Sequence, residues 1–209
     1  VFLAAHTGQG LIMNEVIDPA VVDEARPLLS DASIDMYEPR NGFRPPPEWS
    51  RYAPEFVARY RAAQLERVRR LDALARELLA DSDDAERTRV SPAFDALPAP
   101  ARRRVLERAS FEPLMVVYRT QANLHYADDS LDPSRRGYGS LLSPRPDLMN
   151  LQRHGFGRVV TPRGWLSTWS GLSSNANVLK SGPAVAGPTL FVQAGRGPEG
   201  YPGAPARAG

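Results

Sequence analysis

The stretch "PTLFVQAGRGPEGYPGAPARAG" (188–209) decides how the fold is read. Thr189 to Ala194 is a short apolar run, and it breaks at once into a Gly-rich loop in which Glu199 is the only carboxylate. At the opposite tip, "VFLAAHTGQG" (1–10) begins with a second such run, Val1 to Ala5, ended by Thr7-Gly8-Gln9-Gly10. Apolar runs of this length fit strands buried on both faces, as in a parallel sheet. "HTGQG" follows a strand, but it lacks the glycine spacing and the following helix of a phosphate-binding loop.

Between the tips the pattern is helical and irregular by turns. Residues 7–50 read as mostly irregular, because "DMYEPRNGFRPPPEWSRY" (35–52) is dense in Pro, Gly and Asn. Ser50 to Asp81 is the clearest helix, with Pro54 suited to its first position. Phe56, Val57, Tyr60, Ala63, Val68, Leu71, Leu74, Ala75 and Leu78 recur in steps of three and four. Arg59, Glu66, Arg67, Arg70, Asp72 and Arg76 mostly fall off that stripe. The acidic "DSDDAERTR" (81–89) is expected to end the helix. A second helix is expected from about Ala99 to Ala109, and a strand over Leu114 to Thr120. Thr161-Pro162 gives an N-cap and a first-turn Pro for "RGWLSTWSGL", which should bury Trp165 and Trp169.

Composition excludes several chemistries. The chain has 209 residues, 42% hydrophobic, no Cys and a formal net charge of +2. Without cysteine there is no disulfide, thiol nucleophile or thiolate metal site. His6, His125 and His154 are far apart and lack paired carboxylate spacing, so no metal and no cofactor is expected. No apolar run approaches the roughly 20 residues of a membrane span. Acidic residues interleave with the arginines of the long helix, which argues for a solvated face over a nucleic-acid stripe. No G-x-S-x-G occurs, and Ser167, Ser170, Ser173 and Ser174 read as capping and local hydrogen-bonding residues.

Taken together, "VFLAAH", "DMYEPRNGFRPPPEWSRYAPEFVARYRAAQLERV" (35–68), "YGSLLSPRPDLMN" (138–150), "RVVTPRGWLSTWSGLSSNA" (158–176) and "PTLFVQAG" (188–195) resemble bacterial α/β-hydrolase-fold proteins with a helical lid. The resemblance implies an α/β fold, with parallel neighbouring strands near 1–5 and 189–194 as a partial hydrolase sheet. It divides the chain into a core strand and loop (1–18), a mostly helical lid (19–160), and a return helix, last strand and acid loop (161–209). The nucleophilic serine and the histidine would lie outside this chain. The acid would lie in the 195–201 loop, where Glu199 is the candidate and an exposed loop glutamate the plainer reading. Trp165 and Trp169 would line the substrate pocket, with Tyr60 and Phe56 as further lining; lid packing is the plainer reading of all four. The complete protein would be a cytoplasmic, serine-dependent hydrolase of a small ester or acyl compound, and this chain alone would be inactive. A non-catalytic helical binding module is the alternative.

Overall fold

The computed structural model describes residues 2–3, 7–132, 136–153, 155–188 and 190–192, with the backbone alone at 2–3 and 191–192. Six helices occur among them: α1 (Gln9–Val16), α2 (Pro54–Arg89), α3 (Ala99–Ser110), α4 (Pro146–Met149), α5 (Pro162–Gly164) and α6 (Val178–Ser181). α5 runs directly into a π-helical turn, Trp165–Trp169. The strands are β1 (Phe2–Leu3), β2 (Met115–Val116), β3 (Val159–Val160) and β4 (Phe191–Val192).

α2 organises the molecule. Ala53 is extended, and Pro54 starts the helix without losing a needed donor. Its 36 residues span about 54 Å at 1.5 Å per residue. The helix does not stop at Asp81. The acidic segment stays helical to Arg89, where Asp84–Arg87 and Glu86–Arg89 pair one turn apart. Arg87 and Arg89 also face the negative end of the helix dipole. α3 packs back along this half, over the buried Ser82 and Ala85, and Arg108 grips Asp81.

Two cores lie against α2. In the first, Met13, Val16 and Ile17 meet Val68, Leu71 and Ala75, with Met115, Val117, Met149 and Trp165 closing the cluster. In the second, Phe56 and Tyr60 meet Met36, Tyr52, Ala122, Leu124 and Ala127. Tyr60 donates its hydroxyl to the Ala122 carbonyl at 2.7 Å.

The expected α/β architecture is not found. The described residues are mostly helical, and no hydrolase sheet exists among them. The two tips do pair in parallel, Phe2 with Phe191 and Leu3 with Val192, but no further strand joins them. The other ladder is antiparallel and equally short, Met115 with Val160 and Val116 with Val159. The physical reason is that the apolar surface of this chain is buried against a helix face. Leu114 to Thr120 forms a strand only at Met115–Val116, and Arg119 at φ 57° bends the chain away. A helix does follow "HTGQG": α1 forms because Met13 and Val16 find α2 to pack on. Gly8 enters it at φ 108°, where an added Cβ would sit 2.3 Å from the Ala176 carbonyl oxygen. Val1, Ala4, Ala5, His6, His154, Thr189 and 193–209 lie outside the described residues.

Leu71 is fully buried in the first core, whereas Leu106 on α3 is 44% exposed. Leu71→Ala should lower stability by about 3 kcal/mol and Leu106→Ala by about 0.5 kcal/mol or less. Urea unfolding followed by circular dichroism measures both.

Candidate functional site

The buried surface of α2 is polar where it faces residues 15–21. Arg61 Nη1 donates to the Glu15 carbonyl at 3.1 Å. Gln64 Nε2 donates to the carbonyls of Glu15 and Ile17, each at 2.8 Å. Arg67 Nη1 reaches the Asp18 carbonyl at 2.7 Å, and Arg70 Nη2 the Val21 carbonyl at 2.8 Å. Side chains spaced by three along the helix thus satisfy carbonyls from the end of α1 to Val21, a segment whose one ladder contact among the described residues is the isolated Val21–Ser30 bridge.

Two guanidiniums complete the network. The Arg67 side chain is fully buried and forks onto Glu24, with Nε at 2.9 Å and Nη2 at 2.7 Å; Nη2 also donates to the Tyr118 carbonyl at 2.8 Å. Arg119 binds the Asp18 carboxylate through Nε at 2.9 Å and Nη2 at 2.7 Å. Its Nη1 donates to Ser30 Oγ at 2.5 Å. Asn150 Nδ2 adds a bond to Asp18 Oδ2 at 2.6 Å, while Asn150 Oδ1 accepts from the Gln121 amide at 3.1 Å. Asp35 lies 3.7 Å from Arg119. Burial pushes the Asp35 carboxyl above the usual carboxylate range, and Asp18 adds to this while the Tyr37 amide and Arg119 oppose it. Every charged group in this cluster already has an internal partner, so its chemistry is that of a clamp.

Two smaller centres have carboxylates at their hearts. Asp72 on α2 accepts from Trp165 Nε1 at 2.8 Å and from the Ser173 hydroxyl, and Arg76 donates to Ser173 Oγ at 2.9 Å. Asp128 accepts from the Tyr52 amide at 3.0 Å and from Ser130 Oγ at 2.6 Å. Arg51, bonded to Asp128 and Asp129, borders an open cleft of about 380 Å³ there with Ser130 and Arg136. Nearby, His125 is buried edge-on to Tyr126. Burial pushes its imidazole down to about 4, opposed by Asp132 and reinforced by Arg61 and Arg136.

The sequence-derived site residues fare differently. Glu199 lies outside the described residues. Trp165 is fully buried in the first core, and Trp169 is half-buried beside Phe156 and Gly157. Phe56 and Tyr60 are packed in the second core. Ser170 caps its own turn, accepting from the Leu172 and Ser173 amides at 3.2 and 3.0 Å. Thr161 caps α5 as expected, accepting from the Gly164 amide at 3.0 Å. No group of His, Asp and Glu side chains among the described residues could hold a metal, and no described helix is long and apolar enough to cross a membrane. Arg67 and Asp72 were placed off the buried stripe, yet both are buried. The signal was in the spacing: Tyr60, Gln64, Arg67, Leu71 and Ala75 keep the same steps of three and four.

Arg67→Met should lower stability by about 3 kcal/mol or more, because Glu24 and two carbonyls lose their donor. Arg76→Ala, on an exposed side chain, should stay within about 1 kcal/mol; urea midpoints compare the two. His125 supplies a pH signature. An ordinary histidine takes its proton near 6.5, the folded one near 4. Between these values the unfolded chain binds more protons, so stability falls as pH drops through the window, by at most about 1.4 kcal/mol per unit. His125→Asn should flatten that slope in urea titrations run from neutral to mildly acid pH. Set beside known proteins, the chain matches no family model, no curated protein and no solved structure.

Proposed function

We propose that this chain is the helical part of a serine-dependent carboxylic-ester hydrolase, folded over the reaction site of the complete protein and without turnover of its own. The substrate is a small ester or related acyl compound, the compartment the cytoplasm, and no nucleic acid takes part. One observation carries the reading: β1 and β4 lie side by side and run parallel, and the mostly helical body is inserted between them. Both strands point the same way, and α1 follows β1. The reading takes from β1 and β4 only their parallel pairing, because no further strand joins them among the described residues. The sequence resemblance to lidded hydrolases supports the same chemistry: serine attack on a carbonyl, with histidine moving the proton.

A non-catalytic binding module is the second reading. It is favoured by the closed polar centres: Asp18, Asp72 and Asp128 are each occupied by internal donors. A fluorophosphonate probe and short-chain aryl esters separate the two. The complete protein should be labelled on a serine outside this chain and should turn over the esters, and the 209-residue chain should do neither. Labelling within the chain would contradict its inactivity, and a complete protein that neither labels nor turns over would favour the binding module.

A further inference from the structure

A surface cleft of about 480 Å³ lies between α2 and the loop before it. Its α2 wall is Arg59, Ala63, Glu66 and Arg70, positions that share one helical face. Pro19, Val21, Val22 and Ile34 supply an apolar wall opposite. Its volume is within the range of small-molecule sites. Ala63 makes the notch, since any larger side chain there would project into the space.

The charges are not equally available. Glu66 is bonded by Arg69. Asp31 accepts from the Ser33 amide at 2.8 Å. Arg70 uses a donor on the Val21 carbonyl and has no carboxylate partner among the described residues. Arg59 lies over the Phe56 ring, 5.9 Å from its centroid, and has no ion-pair partner among the described residues. Glu66 is neutralised by Arg69, so the two guanidiniums, which keep donors to spare, outnumber Asp31, the one cleft carboxylate without an ion-pair partner among the described residues. An apolar trough with free guanidinium donors along one wall complements an apolar tail that ends in a carboxylate.

We propose that this cleft binds a small amphiphilic carboxylate, its tail against Val22 and Ile34 and its carboxylate on Arg59. This holds whether or not the complete protein hydrolyses esters. The experiment is calorimetric titration of the chain at low ionic strength with octanoate, octanol and octylammonium, repeated on Arg59→Gln and Ala63→Phe. Arg59 is exposed and has no ion-pair partner among the described residues, so its substitution should leave folding intact; thermal melts of both variants check this. Octanoate should bind saturably and more tightly than octanol or octylammonium. Arg59→Gln should weaken it about threefold or more, and Ala63→Phe should abolish it. No saturable octanoate binding, equal or tighter binding of octanol or octylammonium, or unchanged affinity in both folded variants would overturn the proposal.

Discussion

The described structure depends on guanidinium donors that serve in place of a β-sheet partner. Residues 17–21 and 117–128 run through the interior with only scattered backbone hydrogen bonds, such as Asp18 to the Arg119 carbonyl, Ala122 to the Val16 carbonyl and the isolated Val21–Ser30 bridge. Buried backbone groups must find partners. Arg61, Gln64, Arg67 and Arg70 reach outward from α2 and meet the carbonyls of Glu15, Ile17, Asp18 and Val21 in order. Arg119 comes from the other segment and ties Asp18 to Ser30 and Asp35. Its left-handed backbone, φ 57°, costs on the order of 1 kcal/mol, and the side-chain bonds that this geometry aims offset the strain. Removing the Arg67 and Arg119 charges from water is costly, and the arrangement is stable because the donors of these two buried guanidiniums end on acceptors.

This also accounts for the arginine-rich composition of the long helix. Arg61, Arg67 and Arg70 point at the chain itself, and Arg69, Arg87 and Arg89 pair with acids one turn away. A planar fork with several donors suits two carbonyls and a carboxylate at once, as Arg67 shows, and a lysine could not span all three.

How much of this was legible varies with the physics involved. Local signals were readable: Pro54 starts α2, Thr161 caps α5, and α3 spans the expected residues. The two tips meet in parallel, as the resemblance implied, yet two residues on each side do not make a hydrolase sheet. What escaped depends on tertiary contacts. The run 81–89 looked like a breaker because it is acidic, but its charges pair along the helix and α3 covers it. α1 has no cap and little periodicity, and it exists because of its neighbours. Arg67 and Asp72 stand among the residues expected off the apolar stripe, yet both are buried, because the folded chain brings Glu24 to one and Trp165 to the other. The polar centres could not be found from sequence, because Asp18 and Arg119, or Asp72 and Trp165, meet only after the chain has folded.

The same contacts make stability uneven along α2. From Phe56 to Leu79 the helix carries two apolar cores and the ion network. Beyond Leu79 its buried residues are only Ser82 and Ala85, and α3 buries none of its own. Arg108–Asp81 and Arg163–Asp83 are the ties at that end, and both are exposed to solvent. Exposed pairs add little, and small side chains bury little area. The free energy of local opening must therefore decrease from the clamp toward the α2–α3 turn, so that one end of the long helix is an anchor and the other an arm.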